Sequence, residues 1–338
     1  MEQQEVILQV KNLKTYFYNH GRELRAVDDM SYQVHRGECV AIIGESGSGK
    51  TVSALSILRL ISYPPGLVMG GEIIYKGQDL LKMNDEEYRK IRGSEISMIF
   101  QEPSAALNPV ATIGDQITEN ILLHTDVSKE EAWKRAVELL TEVGIPNAEA
   151  RVKQYPFEFS GGMQQRAMIA MAMSCNPDIL IADEPTTALD VTVQAQVLEQ
   201  LNKLRESHNM ALIIITHNLG VVARYADSVK IMYGGRIVED GSVMNVFRNP
   251  SHPYTLGLIR AVPRLDLPRS HGLYTIEGEP PDMSRVPQNC CAFHFRCKYA
   301  DDMCRNCRPE LEAVEDGHFC ACFHRDQLDE ERKEVLRT

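Results

Sequence analysis

Three separated stretches carry residue types suited to phosphate chemistry. Gly44-Glu45-Ser46-Gly47-Ser48-Gly49-Lys50-Thr51 follows the apolar run Cys39–Ile43 and precedes Val52–Leu58, which reads as a helix start. Strand, glycine-rich turn and helix in that order are the setting of a phosphate loop. Gly44, Gly47 and Gly49 let backbone N–H groups turn inward around phosphate oxygens, with Ser46 and Ser48 between them. The helix N-terminus adds the positive end of its dipole. Lys50 is placed to reach the β- and γ-phosphates, and the Thr51 hydroxyl to ligate Mg2+. Ile179-Leu180-Ile181-Ala182-Asp183-Glu184 sets two carboxylates at the C-terminal end of an apolar strand, where open α/β sheets bind ligands. Asp183 suits magnesium, directly or through water, and Glu184 suits the orientation of an attacking water. His217, after Ile215-Thr216, could touch the terminal phosphate and that water, and Gln101 sits at another strand end. A pair of acids or a lone histidine is more often solvated or structural. The upstream phosphate loop makes the set read as one site.

Phe159-Ser160-Gly161-Gly162-Met163-Gln164-Gln165-Arg166 is a second glycine turn at a helix start. Ser160 can N-cap, and the following N–H groups offer another anion site. One nucleotide does not need two cradles from one chain. Two chains set head to tail would use both.

Nine cysteines stand in the chain, seven of them between Cys290 and Cys322. In a reducing compartment such a cluster favours metal over disulfide, and thiolates suit iron–sulfur or zinc. Irregular spacing tips the reading toward iron–sulfur, while Cys304-x2-Cys307 keeps zinc open.

The elements that must position these groups follow from periodicity. Val6–Val10 alternates like a half-buried strand, and Ala26–Val34 reads as a second. Gly71–Tyr75, Ile96–Phe100, Ile179–Ala182 and Leu212–Ile215 read as further strands, and Val229–Tyr233 with Arg236–Glu239 as a hairpin about Gly234-Gly235. Residues 103–157 turn helical: Ser128-Lys129-Glu130-Glu131 is a capping box, and Trp133, Ala136, Val137, Leu140 and Val143 follow at helical spacing, with core packing the expected role of the tryptophan. After Asp190, a candidate N-cap, Val191, Val197, Leu198, Leu201 and Leu204 mark a helix face. Continuous apolar strands separated by helices imply a parallel sheet covered on both faces. The chain has 338 residues, 43% hydrophobic and 25% charged, with a net charge of −11. That balance argues against a nucleic-acid partner held by phosphate contacts. No signal peptide is expected from Met1-Glu2-Gln3-Gln4-Glu5, and no run approaches the roughly 20 apolar residues that span a bilayer.

Taken together the motifs resemble those of the ATP-binding subunit of an ABC transporter across about residues 6–240: Walker A at Gly44–Thr51, Q-loop Gln101, signature Phe159–Gln164, Walker B Ile179–Glu184, D-loop Ala188-Leu189-Asp190 and H-loop His217. The resemblance implies the P-loop ABC ATPase fold, a mixed sheet flanked by helices with a helical subdomain at 103–158 and a core of 1–102 and 159–240. It implies ATP bound by Gly44, Ser46, Gly47, Ser48, Gly49, Lys50, Thr51 and Val52, with Phe17 (or Tyr16) stacking on adenine. Lys50, Glu184 and His217 would be catalytic, and Thr51, Gln101 and Asp183 would serve magnesium. Ser160, Gly161 and Gly162 would close over ATP from a second chain; Phe159 and Met163 depart from the usual signature.

A closer resemblance is to the peptide and nickel importer branch, first-subunit type. It rests on Leu13-Lys14-Thr15-Tyr16-Phe17, Gln101-Glu102-Pro103, Leu107-Asn108-Pro109, Asn249-Pro250-Ser251-His252-Pro253-Tyr254-Thr255 and the terminal cysteines. It implies ATP-driven import of dipeptides or oligopeptides at the cytoplasmic face of the membrane, with nickel or another small solute as the alternative substrate and a soluble non-transport ABC ATPase as the rival. The implied partners are a homologous second ATPase, two permease subunits contacted by the 103–158 segment, and an extracytoplasmic binding protein; a homodimer in isolation is allowed for. Cys291, Cys297, Cys304 and Cys322 match the branch's four-cysteine pattern in a C-terminal extension, 241–338, and imply a [4Fe-4S] cluster, with Zn2+ as the alternative and Cys290, Cys307 and Cys320 as surplus.

Overall fold

The computed structural model describes residues 5–19, 21–187, 189–263 and 274–337, with side chains as far as 333. Its strands are β1 (Val6–Asn19), β2 (Arg22–His35), β3 (Cys39–Ile43), β4 (Gly66–Tyr75), β5 (Gln78–Asp79), β6 (Ile96–Ile99), β7 (Ile179–Asp183), β8 (Ala211–Thr216), β9 (Ser228–Tyr233), β10 (Arg236–Ser242), β11 (Glu312–Glu315) and β12 (His318–Cys320). The chain divides into two compact units. One holds the residues up to Ile7, Val34–Glu38 and Asp79–Ile215; the other holds Leu8–Gln33, Cys39–Gln78 and the chain from Thr216 onward.

In the first unit β6, β7 and β8 run parallel, with Ile96 opposite Ile179 and Ile179 opposite Ala211. Every residue of β7 and β8 is buried, which explains their unbroken apolar run: both faces are covered. Helices Ile113–His124, Lys129–Glu142, Gly161–Ala172 and Val191–His208 belong to this unit. The capping box forms as expected: Ser128 accepts from the Glu131 N–H, and the Glu131 carboxylate accepts from the Ser128 N–H at 2.8 Å. Trp133 packs against Gly114, where a Cβ would come within 2.7 Å of the indole. Asp190 caps the last helix through the Thr192 and Val193 N–H groups. Val197, Leu198, Leu201 and Leu204 form its buried face, but Val191 stands 81% exposed. It is the first residue of the helix, and the buried face begins at Val197.

In the second unit β3 lies parallel to β9, Val40 opposite Ser228, and β9 turns through Gly234 and Gly235 (φ 55 and 80) into antiparallel β10. Antiparallel β12 and then β11 extend the same sheet, Glu239 standing opposite Cys320. The C-terminal stretch therefore adds strands to the sheet that carries β3. A separate sheet runs β2-β1-β4-β5, with β1 antiparallel to β4. The parallel expectation holds for β3/β9 and for β6–β8, while these antiparallel strands enlarge it into a mixed sheet plus a second sheet. β4 begins at Gly66 rather than at Gly71. Gly71 bends inside the strand with φ 102, and a side chain there would collide with the β1 backbone at 2.7 Å. One apolar core joins Ala41, Val229, Tyr233, Val246, Tyr254 and Phe293.

Candidate functional site

The second unit carries the glycine-rich turn between β3 and the helix Lys50–Ile57. The loop is closed mainly by its own atoms. Lys50 Nζ donates to the carbonyls of Gly44 (2.7 Å) and Glu45 (3.0 Å), and the Ser48 N–H donates to Glu45 O. Gly47 and Gly49 take φ 79 and 100, which L side chains rarely adopt. A Cβ on Gly49 would lie 2.1 Å from Ala26 O, and one on Gly44 would lie 2.3 Å from Met232 O. The glycines thus permit a close-packed backbone cradle. Ser46, Gly47 and Thr51 are exposed at its mouth, Val52 is half-buried, and Lys50 and Ser48 are buried. Ser48 Oγ is buried with no hydrogen-bond partner among the described residues. An orphaned hydroxyl in a cradle of this shape fits a phosphate-bearing nucleotide.

Tyr16 and Phe17 are adjacent on β1 but differ in employment. Tyr16 is 8% exposed and donates to Asp28 Oδ1 at 2.7 Å, so its ring serves the sheet. Phe17 is half-buried, with its ring beside Gly66, where a Cβ would meet it at 2.7 Å. His217 follows β8 and is exposed in this same unit.

The first unit carries the acids. Asp183 ends β7 with 2% exposure, and Glu184 follows in the left-handed region, φ 45, its N–H donating to Ile215 O at 2.9 Å. Gln101 Nε2 donates to Glu184 Oε2 at 3.0 Å, and Thr187 Oγ1 donates to the same oxygen at 2.8 Å. The structure thus brings Gln101 and Glu184 together. Ser160 caps the helix Gly161–Ala172 through the Met163 N–H, and Ser160 and Gly161 are exposed. Phe159 is buried, and Gln164 donates to Pro156 O at 2.8 Å, so the two sides of the turn are anchored. Ala188, the first residue of the D-loop motif, lies outside the described residues.

The cysteines divide by surroundings. Cys291 feels the charges of Cys304, Cys322 and Cys297, and Cys322 those of Cys297 and Cys304. Burial first, then these mutual charges, pushes the Cys291 and Cys322 thiols up to about 12. Burial likewise raises Cys297 and Cys304. Thiolates as a donor type suit iron–sulfur or zinc. Cys290 instead donates to Pro287 O, and Cys307 is exposed. Cys320 is fully buried on β12, near Cys322 and Glu239. Two residues missed in the sequence also stand here. Asp301, Cys304 and His324 bring their ligand atoms within 4.8 Å of one another. Asp301 caps the helix Asp302–Asn306 through the Cys304 N–H and pairs with His324 at 3.2 Å. The signal was an aspartate three residues before a cysteine, an N-cap spacing; His324 carried none.

Comparison with known proteins agrees with this geometry. A family model described as ABC transporter matches residues 27–187, and one described as oligopeptide/dipeptide transporter, C-terminal region, matches 238–304. The oligopeptide transport ATP-binding protein OppD of Bacillus subtilis is 48% identical over 93% of this chain and 87% of its own. The dipeptide transport ATP-binding protein DppD of the same organism is 46% identical over 96% of both. An ATP-binding cassette solved as a dimer in a post-hydrolysis state with ADP and Pi superposes with a TM-score of 0.63, at 27% identity over 70% of this chain and 98% of that one. The phosphate cradle, the paired acids and near full-length identity to these relatives lead to one conclusion: the chain belongs to the ABC transporter family of ATPases, as an ATP-binding subunit of the oligopeptide and dipeptide transporter branch.

Proposed function

We propose that this ATPase powers the import of peptides across a membrane. The observation that carries the reading is identity of 46% to 48%, over nearly the whole chain, to proteins named for dipeptide and oligopeptide transport. A nickel or other small-solute importer is the alternative within the same branch. Family membership brings membrane permease partners and a dimeric ATPase. Among the described residues no helix is long and apolar enough to cross a membrane. The subunit would sit peripherally at the cytoplasmic face. An extracytoplasmic binding protein would deliver the solute. The helical segment 103–158 would meet the permeases, between core segments 1–102 and 159–240, with 241–338 as the extension.

Within that reading Gly44, Ser46, Gly47, Ser48, Gly49, Lys50, Thr51 and Val52 hold the phosphates of ATP, and Phe17 stacks on the base, since Tyr16 is committed to Asp28. Thr51, Gln101 and Asp183 would serve Mg2+, whose charge would neutralise the phosphates. Glu184, steadied by Gln101 and Thr187, orients the attacking water, and His217 contacts the terminal phosphate. Ser160, Gly161 and Gly162 offer their N–H groups to the nucleotide of the partner ATPase. Cys291, Cys297, Cys304 and Cys322 would hold a [4Fe-4S] cluster, with zinc as the alternative, since thiolates suit either.

Glu184→Gln tests the mechanism. ATP binding should persist, while hydrolysis falls at least about 100-fold and labelled-peptide uptake by a deletion strain carrying the variant stops. Uptake at the wild-type rate would sink the assignment. Nickel uptake without peptide uptake in the wild type would move the substrate to the alternative.

A further inference from the structure

Glu45 lies inside the phosphate loop, yet its N–H and its carboxylate are held by the C-terminal stretch. Its backbone N–H donates to Tyr254 Oη at 2.8 Å. Its carboxylate takes a two-pronged contact from Arg296, Nη1 to Oε2 at 2.6 Å and Nη2 to Oε1 at 3.1 Å. The Arg296 side chain is only 4% exposed. It donates through Nε to Glu277 O at 2.9 Å and lies over the rings of Tyr233 and Phe293. Tyr254 is fully buried, 4.7 Å from the Tyr233 ring and 5.5 Å from that of Phe293. Its place is set by His252, whose Nδ1 accepts from the Tyr254 N–H at 3.1 Å. The Glu239 carboxylate in turn fixes the Ser251 and His252 N–H groups at 2.6 and 2.9 Å. Ser46 and Gly47 share a small cavity with Pro280, Pro281 and Met283 of the same stretch.

This arrangement has an electrostatic consequence. A carboxylate in a loop that must receive a polyanion repels it, and the repulsion strengthens as water is excluded. A bidentate guanidinium cancels that charge and fixes the side chain in one direction. A half-buried ion pair is weak evidence of stabilisation by itself, since desolvation offsets the attraction. Its placement against the loop makes it useful for binding instead. Arg296 also directly precedes Cys297, so the stretch carrying the thiols and the residue that neutralises Glu45 are covalently continuous.

We propose that Arg296 is a positioning residue for nucleotide binding, neutralising and orienting Glu45 so that the affinity of the phosphate loop depends on the folded C-terminal stretch. The inference rests on the loop holding the phosphates of ATP. The test measures binding of a fluorescent ATP analogue with Mg2+ to the full-length protein and to R296A, E45A, R296A/E45A and R296K, with circular dichroism and thermal unfolding as controls of folding. R296A should weaken binding about tenfold, within the usual range of coupling between sites. R296K, which keeps the charge but loses the fork, should fall between R296A and wild type. The double variant should bind more tightly than R296A, because the stranded carboxylate is gone. Should R296A not fold, R296K decides: affinity equal to wild type overturns the proposal. A folded R296A with unchanged affinity, or a double variant weaker than R296A, overturns it too. Failure of the wild type to bind the analogue would instead remove the phosphate-loop reading beneath it.

Discussion

The phosphate loop and the C-terminal stretch are built by opposite means. The loop closes on itself: Lys50 reaches back five and six residues to Glu45 and Gly44, and glycines at positive φ make the turn. The C-terminal stretch is held by partners far apart in sequence. His318 Nε2 meets Glu239 at 2.8 Å, both fully buried, and the same carboxylate anchors Ser251 and His252. Arg332 donates to Pro250 O at 2.8 Å, Arg308 pairs with Asp29 at 3.0 Å, and Arg260 pairs with Glu331 at 3.0 Å. A short-range loop depends on backbone freedom, whereas a region with a modest apolar core depends on buried polar groups being satisfied all at once.

The largest test of that contrast is Glu239→Ala. It strands two backbone N–H groups and a buried histidine, and should lower unfolding free energy by about 3–5 kcal/mol in urea titration. Should stability hold, the polar network is not what secures this region.

Next comes Gly49→Ala, which forces a Cβ to 2.1 Å from Ala26 O at φ 100. It should cost about 3 kcal/mol or more and abolish nucleotide-analogue binding. Gly47→Ala, at φ 79 with nothing within 4 Å, should cost only the left-handed penalty of about 1–2 kcal/mol. Equal losses would mean that space around the loop does not matter.

The last test varies pH. Burial lowers His252 from 6.5 to about 3. Above pH 6.5 neither folded nor unfolded chain protonates it, so its contribution is complete; below 6.5 the unfolded chain takes up a proton that the folded one refuses. Stability should therefore fall by about 1.4 kcal/mol per pH unit as pH drops from 6.5 toward 3. His318 has the opposite sign. Burial alone would lower it, but the hydrogen bond and charge of Glu239 hold it above its ordinary value. Its contribution is present below pH 6.5 and is lost as pH rises through the folded value. Urea midpoints across this range in wild type and His252→Asn separate the two. An acid slope unchanged in the variant would assign it elsewhere.

Much of the candidate site was legible because each part is a short motif. Strand, glycine turn and helix announce a phosphate cradle wherever they stand in order, and Ser128-x2-Glu131 and Asp190 are caps read from spacing alone. The antiparallel extension of the sheet was less legible. β12 is a three-residue strand whose pairing with β10 depends on nothing local. Asp301 and His324 beside Cys304 escaped notice, and Val191, placed on the helix face for its apolar type, stands exposed in the first turn.

By itself the amino-acid sequence determined the groups able to do chemistry and their local backbone: glycines where φ must be positive, a lysine and threonine at a helix start, acids ending an apolar strand. Only the tertiary structure decided how those groups are held. The contact between Glu45 and Arg296 spans 251 residues, and that between Glu45 and Tyr254 spans 209. Propensity and periodicity act over a few turns of chain, so pairings at such separations emerge only when the folded core brings the two stretches together.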